Sequence, residues 1–433
     1  MRNFIKHDLC RLCQSRNLEL IMNIGSTPVG DDFIPENRLD KIQQEYPLEL
    51  YFCQDCCLLQ VPGVINQELV YGEYLYETSS SLGLKAHFKH YADKVLRCVN
   101  PPKDSLVIDI GSNDGTLLKY FQGKGMRVLG IEPSLEIAKR VTASGVETLP
   151  NFFNKALARE IKKSHGSATV VTANNVFANV DDLNDFIDGI KEVLTLDSVF
   201  IFETGYMIDL VQNMVFDNIY HEHLCYFSIK PLVKFFGNHG LELIDVERVA
   251  TKGGSIRCTV QLEGASRSVS PSVAELMTLE TELGFDSLTP LKIFVNKIGS
   301  LRDQLKRVLS ALKAQGKTIA GYGASVGVTT LLYYFDLKDC LSFLVDDNPT
   351  RHHLYSPGHH LQVFPSQIIY ERKPDYVLIL AWRYAHPIMK KHLNYLKQGG
   401  CFLKFLPTVE VISSMSQERR TPLSLAGDRK VFS

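Results

Sequence analysis

Short runs of aliphatic residues alternate with stretches of helical spacing along most of this chain of 433 residues. Between residues 80 and 250, apolar runs with the composition of buried strands lie at residues 107–110, 127–131, 169–172 and 198–202. Stretches with helical spacing separate them, at residues 117–121, 135–143 and 182–194. This alternation is typical of βαβ units, whose strands lie parallel in one sheet. The sequence therefore predicts an α/β fold with a central Rossmann-like domain.

A second, smaller α/β domain is expected toward the C-terminus. Apolar residues recur every three or four positions, as one face of a long helix requires, at Phe294, Ile298, Leu301, Leu305, Val308 and Leu312. Strand-like runs begin at Thr318, Leu341, Tyr376 and Cys401, and the first of them enters the glycine-containing segment 321–324. The predicted organisation is an N-terminal module, the central domain, the C-terminal domain and a tail, at residues 1–78, 79–250, 251–412 and 413–433.

Cysteine is concentrated near the N-terminus of the chain. Two CxxC pairs, Cys10 with Cys13 and Cys53 with Cys56, provide the four thiolates of a closed tetrahedral zinc site. Because such a site has no open coordination position, we expect the ion to stabilise the N-terminal module without taking part in catalysis. Unpaired reduced cysteines and a redox CxxC are the alternatives. Cys57, next to the second pair, could be a packing residue.

Charge and hydropathy argue against several classes of protein. Lys and Arg number 47 against 48 Asp and Glu, a net charge of −1, whereas nucleic-acid binding needs a cationic excess. The sequence has no run of about 18 apolar residues that could cross a membrane. Its first eight residues contain no apolar signal core. We therefore expect a cytoplasmic protein, a monomer or small homo-oligomer, with neither nucleic acid nor membrane as a partner.

The first strand of the central domain enters a glycine turn that opens a helix. Glycine lets a ligand approach the backbone closely, and the next strand ends in a carboxylate, Glu132, that suits two ribose hydroxyls. NAD and S-adenosylmethionine sites share this arrangement, but the GxGxxG fingerprint is missing at Gly111. Asp114 would oppose a pyrophosphate and tolerate a sulfonium cation, which favours S-adenosylmethionine. The predicted cofactor-binding residues are Asp109, Gly111, Asn113, Asp114, Gly115, Glu132, Pro133, Asn151, Asn174 and Asn175.

A phenol, a carboxylate and two imidazoles occur together at Tyr220, His221, Glu222 and His223. Histidine titrates near neutrality, so it can accept a proton and be oriented by a carboxylate. In an extended segment Tyr220 and Glu222 would share one face, so Glu222 and His223 pair only if the backbone bends there. The segment is a candidate proton-abstraction centre. A His-x-His metal site and a polar strand end are the alternatives.

In their order along almost the whole chain, these motifs resemble those of the zinc-containing, S-adenosylmethionine-dependent sugar C-methyltransferases of deoxysugar biosynthesis. The shared motifs are the two CxxC pairs and the segments 71–76, 79–81, 110–115, 174–176, 220–223, 253–257 and 321–324. The resemblance implies a nucleotide-linked 4-keto-deoxyhexose as substrate. It also implies that His223 removes the proton beside the ketone, with Glu222 orienting the imidazole and Tyr220 nearby. The resulting enolate would then accept the methyl group.

The same resemblance implies which residues contact the substrate. Tyr74, placed with the catalytic residues, or Tyr76 would reach the sugar. The C-terminal domain would bind the nucleotide diphosphate, with Gly321, Gly323 and Ser325 near the phosphates, as a glycine-containing turn between strand and helix allows.

Three positions depart from the family pattern. The family usually has histidine where this chain has Asn179 and Lys252, and often has lysine where this chain has Gly327. Asn179 cannot titrate, whereas Lys252 adds a positive charge that could contact phosphate or enolate, so both are predicted to bind substrate. Methylation of oxygen or nitrogen on a related sugar, a two-domain nicotinamide oxidoreductase and a non-enzymatic zinc-knuckle scaffold are the alternative functions.

Overall fold

The computed structural model describes residues 3–71 and 83–414. Tyr74 and Tyr76, and nearly all of the predicted tail, lie outside the described residues. Backbone contacts divide the chain into two compact units. Within the described residues, the first unit comprises 3–29, 45–71 and 83–296, and the second comprises 30–44 and 297–414. The segment between the two CxxC pairs is thus shared between the units.

The first unit contains the zinc-module strands and a larger central sheet. Its strands are β1 (Phe4–Lys6), β2 (Leu18–Thr27), β3 (Tyr46–Cys53), β4 (Leu59–Gln60), β5 (Gly63–Ile65), β6 (Leu106–Ile110), β7 (Arg127–Ile131), β8 (Thr148–Leu149), β9 (Val170–Asn174), β10 (Val199–Gly205), β11 (Cys225–Tyr226), β12 (Leu241–Val249) and β13 (Ser255–Leu262). Its helices are α1 (Gln67–Tyr71), α2 (Leu84–Val99), α3 (Thr116–Gln122), α4 (Leu135–Ala143), α5 (Lys155–His165), α6 (Leu183–Val193), α7 (Met207–Gln212), α8 (Ile229–Asn238) and α9 (Pro271–Glu282).

The central sheet has the strand order β12-β13-β10-β9-β6-β7-β8. Strands β6 to β10 run parallel, whereas β13 pairs antiparallel with both β10 and β12. Every residue of β6 is buried, as expected for a parallel strand covered on both faces by helices. The predicted Rossmann-like fold is therefore confirmed. Because β13 belongs to this sheet, the first unit extends past residue 250, where the sequence places a domain boundary.

A smaller antiparallel sheet joins the zinc module to the central part of the chain. Its order is β11-β4-β3-β2, and β1 pairs separately with β5. Strands β2, β3 and β4 come from the N-terminal module, but β11 follows the Tyr220 to His223 segment directly. The sheet therefore fixes the position of a predicted catalytic segment.

The second unit is also an α/β structure. The helix α10 (Thr289–Ala314) leads into it, and the remaining helices are α11 (Val326–Tyr334), α12 (Ile368–Arg372), α13 (Ala385–Lys391) and α14 (Leu393–Lys397). Its strands are β14 (Ile319–Tyr322), β15 (Leu344–Asp346), β16 (Val363–Pro365), β17 (Tyr376–Ile379), β18 (Cys401–Lys404) and β19 (Glu410–Ile412). They form a sheet in the order β16-β15-β14-β17-β18-β19, parallel except for β19. Among the described helices, none combines the length and the apolar character that crossing a bilayer requires.

Candidate active site and zinc site

The sulfur atoms of the two CxxC pairs converge on one point. The Sγ atoms of Cys10, Cys13, Cys53 and Cys56 all lie within 4.8 Å of one another, and two of the separations are 3.5 Å. A tetrahedral site with Zn–S bonds of about 2.3 Å places its sulfurs about 3.8 Å apart, so this arrangement fits zinc. Four thiolates fill the coordination sphere, which makes the site structural. The prediction of a zinc-binding cluster is confirmed.

Both knuckles are built by the same backbone turn. The amide of Gln14 donates to the carbonyl oxygen of Cys10 at 2.9 Å, and the amide of Cys57 donates to that of Cys53 at 2.8 Å. Gln14 and Cys57 also share a left-handed backbone, with φ of 59° and 67°. Cys57 is therefore the turn residue that follows the second pair, in the position that Gln14 holds after the first, and is not a fifth ligand.

A cavity opens at the carboxyl ends of β6, β7 and β9, the edge where open parallel sheets bind ligands. Helix α2 and the segment around Phe152 provide apolar walls. Eight predicted cofactor residues line this cavity: Asp109, Gly111, Asn113, Glu132, Pro133, Asn151, Asn174 and Asn175.

The glycine turn is held against this cavity by the buried carboxylate of Glu132. One oxygen of Glu132 accepts from the amide of Asn113 at 3.0 Å, and the other accepts from the amide of Ser134 at 3.0 Å. Burial raises the pKa of Glu132 above its ordinary value. Gly111 has a φ of +68°, and a Cβ at this position would collide with the side chain of Val176. Glycine is therefore required where the backbone borders the cavity.

Unsatisfied polar atoms show that the cavity suits a polar ligand. Oδ1 of Asn174 and the hydroxyl of Ser112 are buried without a hydrogen-bond partner among the described residues. Buried polar groups normally have partners, so a ligand in this cavity could supply them. The acidic side chains at this end of the cavity are Glu132 and Asp109, and burial raises the pKa of Asp109 to about 7. Such groups suit ribose hydroxyls and a sulfonium cation better than a pyrophosphate. The residues present fit S-adenosylmethionine.

Two predicted cofactor residues lie outside the lining of this cavity. The Asp114 carboxylate accepts from the amide of Thr116 at 3.1 Å and from its hydroxyl at 2.6 Å, so it caps the start of α3. Gly115 has a φ of +71°, and a Cβ there would lie 2.9 Å from the side chain of Val141. Both residues shape the turn that borders the cavity, and their contact with the cofactor stays a prediction.

The predicted catalytic segment forms a tight turn, closed by a 3.0 Å hydrogen bond from the amide of His223 to the carbonyl oxygen of Tyr220. Nδ1 of His223 lies 2.9 Å from the carbonyl oxygen of Asn218, and Nε2 lies 2.8 Å from Oη of Tyr220. A carbonyl can only accept, so Nδ1 carries the ring proton and Nε2 accepts from the phenol. Burial lowers the pKa of His223 to about 4, so the ring is neutral at pH 7.

Tyr220 and Asn218 are therefore the groups that orient His223, and the predicted orienting role of Glu222 is not what this geometry shows. Both ring nitrogens already have these two partners. Glu222 is buried nearby. The pKa of both Tyr220 and Tyr71 is raised mainly by the burial of these tyrosines, and the charge of Glu222 raises it further. The sequence analysis missed Asn218 because it acts through its backbone carbonyl, which has no side-chain signature.

A second cavity is lined by His223 and adjoins the predicted cofactor cavity. Asn175, Asn179 and Lys252 line both cavities, so the candidate base borders the predicted cofactor site. Lys252 has a left-handed backbone, with φ of 52°, in the turn that precedes β13. Asn179 donates from Nδ2 to the phenol of Tyr71 at 3.1 Å. The structure thus brings Asn179 and Lys252 beside His223.

A buried ionic cluster supports this turn and was missed by the sequence analysis. The carboxylate of Glu203, at the end of β10, lies 2.9 Å from Nε2 of His87 and 2.9 Å from the guanidinium of Arg257. It also accepts from the hydroxyl of Thr251 at 2.8 Å, next to Lys252. Arg257 belongs to the motif 253–257, but no spacing in the sequence relates it to Glu203.

The glycine turn of the second unit has a packing explanation. A Cβ at Gly321 would lie 2.6 Å from the side chain of Leu344, and one at Gly323, where φ is +124°, would lie 2.8 Å from the backbone of Ala381. The amide of Ala324 already donates to Asp346 at 2.6 Å. Ser325 is exposed at the start of α11. These contacts account for the glycines without a phosphate.

Three family models match consecutive parts of the chain. They describe a zinc binding domain over residues 10–71, a methyltransferase domain over residues 84–246 and a C-methyltransferase C-terminal domain over residues 250–407. The C-methyltransferase NovU of Streptomyces niveus is 30% identical over 410 residues, which cover 94% of this chain and 98% of the relative.

Solved methyltransferase structures resemble only part of the chain. An S-adenosylmethionine-dependent methyltransferase from Clostridium acetobutylicum is 12% identical, with a TM-score of 0.34, and the match covers 43% of this chain and 94% of that one. Magnesium protoporphyrin IX methyltransferase from Synechocystis, solved with S-adenosylmethionine bound, is 13% identical, with a TM-score of 0.32. That match covers 46% of this chain and 89% of the Synechocystis chain.

Proposed function

This chain belongs to the family of zinc-binding, S-adenosylmethionine-dependent C-methyltransferases, and we propose that its acceptor is a nucleotide-linked 4-keto-deoxyhexose. S-adenosylmethionine supplies an electrophilic methyl group, so the acceptor must present a nucleophilic carbon. A carbon beside a ketone meets this requirement once a base has removed its proton, because the negative charge then spreads onto the ketone oxygen. The protein must therefore provide a base and stabilise an enolate.

His223 is the proposed base. Its ring is neutral, and the lone pair of Nε2 is held in a fixed direction because Nδ1 donates to Asn218. When Nε2 takes the proton from the sugar carbon, it can no longer accept from Tyr220. The phenol of Tyr220 is then a donor for the enolate oxygen. General-base assistance of this kind contributes about 10²–10⁴-fold to a rate.

Lys252 and Asn179 are proposed to bind the sugar. Lys252 belongs to both cavities, and its cation would stabilise negative charge on the enolate oxygen. Asn179 has a buried Oδ1 without a hydrogen-bond partner among the described residues, which could accept from a sugar hydroxyl. Its Nδ2 donates to Tyr71, so the amide is already oriented. Asparagine can thus bind sugar where histidine is usual, without taking up a proton.

We further propose that the second unit binds the nucleotide diphosphate of the substrate. The carboxyl ends of its parallel strands form the kind of edge at which open sheets bind nucleotides. Gly321 and Gly323 allow the close packing of this edge, and the exposed Ser325 at the start of α11 could contact a phosphate.

The observation that carries the proposal is the common wall of Asn175, Asn179 and Lys252 between the cofactor cavity and the cavity of His223. The test is incubation with S-adenosylmethionine and a panel of nucleotide-linked 4-keto sugars, followed by mass spectrometry. A gain of one methylene unit is expected for at least one sugar. Carbon–carbon connectivity in the product, shown by NMR, separates C-methylation from methylation on oxygen or nitrogen. A panel without any methylated product would overturn the proposal.

A further inference from the structure

Arg11 lies inside the first zinc knuckle, between Cys10 and Cys13, and its side chain is only 3% exposed. Its backbone amide donates to Oε1 of Gln60 at 3.1 Å, and its guanidinium donates to the carbonyl oxygen of Val61 at 2.7 Å. Nε donates to the carboxylate of Asp181 at 3.1 Å. One buried cation thus joins the metal knuckle to two other segments of the chain.

The first of these segments leads directly to His223. Gln60 lies in β4, opposite Cys225 of β11, and the amide of Val61 donates to the carbonyl oxygen of Leu224 at 2.9 Å. Leu224 is the residue after His223. The strand that Arg11 binds is therefore the strand that holds the C-terminal side of the catalytic turn.

The second segment leads to Asn179. Asp181, which accepts from Arg11, follows Asn179 by two residues. The amide of Leu224 donates to the carbonyl oxygen of Ala178 at 2.8 Å, which ties this segment to the catalytic turn. One segment that Arg11 binds thus continues into the wall of the His223 cavity at Ala178 and Asn179, and the other pairs with the strand that follows His223.

The N-terminal half of the catalytic turn also rests on the zinc module. Nε2 of His221 donates to the carbonyl oxygen of Pro47 at 3.3 Å, and the imidazole packs edge-on against the ring of Tyr46. Both residues lie at the start of β3, the strand that ends at the zinc ligand Cys53. The turn is therefore held on both sides by strands that the zinc site stabilises.

Taking His223 as the base of the proposed function, we propose that Arg11 is a positioning residue for the methyl transfer reaction. The ion would hold Cys10 and Cys13 in one turn, and that turn fixes Arg11 against β4 and Asp181. The zinc module would then set the placement of His223 and Asn179, although the ion touches neither. A misplacement of about 1 Å in a catalytic group, caused by a change far from the chemistry, can cost about 10²-fold in rate.

The test compares Arg11→Gln with Arg16→Gln, measuring zinc content and hydrogen–deuterium exchange in the peptide 218–226 by mass spectrometry. Arg16 is a matched control because it follows the same knuckle and pairs with Asp8 on the surface, where the two side chains are 77% and 70% exposed. Arg11→Gln should keep its zinc and exchange about tenfold faster in this peptide. Arg16→Gln should match the wild type. Zinc-loaded Arg11→Gln with unchanged exchange would overturn the proposal.

A second variant decides the question if Arg11→Gln fails to fold or loses its zinc. Asp181→Ala leaves the knuckle intact and removes the acceptor of Arg11 Nε together with its 3.0 Å contact to His7, and because this carboxylate is about one-third exposed the variant should fold. Faster exchange in peptide 218–226 of this zinc-loaded variant supports the proposal, and exchange equal to wild type overturns it.

Kinetics on an accepted sugar separates positioning from general stability. Arg11→Gln should lower kcat by up to about 10²-fold and leave the Kd of S-adenosylhomocysteine unchanged. A fall in cofactor affinity by the same factor would instead indicate general destabilisation and count against a positioning role. The base assignment can fail independently of the role of Arg11. Turnover by His223→Ala would show that His223 is not the base, but it would not change the hydrogen–deuterium exchange result for Arg11→Gln.

Discussion

Oη of Tyr220 lies 2.8 Å from Nε2 of His223, and the opposite nitrogen of the same ring lies 2.9 Å from the carbonyl oxygen of Asn218. These two contacts fix the tautomer of the imidazole and the direction of its lone pair. They also show how a buried histidine ring is oriented without a hydrogen bond to a carboxylate.

Removing the phenol should slow catalysis without weakening cofactor binding. Tyr220→Phe deletes the donor to Nε2 and the donor proposed for the enolate oxygen, so kcat is expected to fall about tenfold to a hundredfold. The Kd of S-adenosylhomocysteine, measured by calorimetry, should not change. Tyr120→Phe, in α3 and outside both cavities, is the control and should behave like the wild type. Equal kcat for the two variants would contradict the role of Tyr220.

The acid limb of the pH profile should report His223. Burial lowers its pKa to about 4, and the nearby charge of Lys252 acts in the same direction. Burial also raises the pKa of Asp109 in the cofactor cavity to about 7, so the profile is measured with S-adenosylmethionine saturating. The base is active when neutral, so kcat should then hold down to about pH 4 and fall below it. Lys252→Met removes a cation that disfavours protonation, so its acid limb should move to higher pH, toward the ordinary histidine value. An acid limb that stays in place or moves to lower pH would contradict this assignment.

Two adjacent cysteines should differ sharply in their effect on zinc. Cys56→Ser removes a ligand, so the protein should lose its zinc and its Tm should fall by more than about 5 °C. Cys57→Ser should keep its zinc, because Cys57 is the turn residue after the second knuckle. Elemental analysis and thermal denaturation measure both effects. Equal loss of metal in the two variants would show that Cys57 is also a ligand.

The cofactor turn should not tolerate a single methyl group. Gly111→Ala places a Cβ against Val176 and on a backbone with φ of +68°, so affinity for S-adenosylhomocysteine should fall at least about tenfold. Gly237→Ala is the control, because its Cβ would meet no atom within 4 Å and its φ is not positive. Calorimetry on both variants measures the difference. Wild-type affinity in Gly111→Ala would mean that the turn does not border the cofactor.

Local patterns predicted most of the fold. The apolar runs at 107–110 and 127–131 became β6 and β7, and the periodicity of the long helix α10 placed Phe294, Ile298, Leu301, Leu305 and Leu312 on its buried face. Within that helix, Leu309 is buried where the sequence spacing had favoured Val308. Periodicity is therefore reliable to about one residue in a helix of this length.

The site was less predictable because its decisive contacts are remote in sequence or made by the backbone. Asn218 acts through a carbonyl, and β11 pairs with a strand more than 150 residues earlier in the chain. Asp114 shows the same limit, since its charge suggested a ligand contact and only the fold shows that its carboxylate accepts from Thr116. Residue types and spacing indicated the chemistry, whereas the partners of each group became apparent only in the folded chain.

The most direct test of the central claim is the fate of the proton beside the ketone. An accepted nucleotide-linked 4-keto sugar is incubated in D₂O with wild-type protein and with His223→Ala, and the sugar is followed by NMR. The wild type is expected to incorporate deuterium at the carbon beside the ketone and, with S-adenosylmethionine, to place the methyl group on that carbon. His223→Ala should do neither. Undiminished deuterium incorporation by His223→Ala, or a methyl group on oxygen, would contradict the proposal that His223 generates a carbon nucleophile next to the methyl donor.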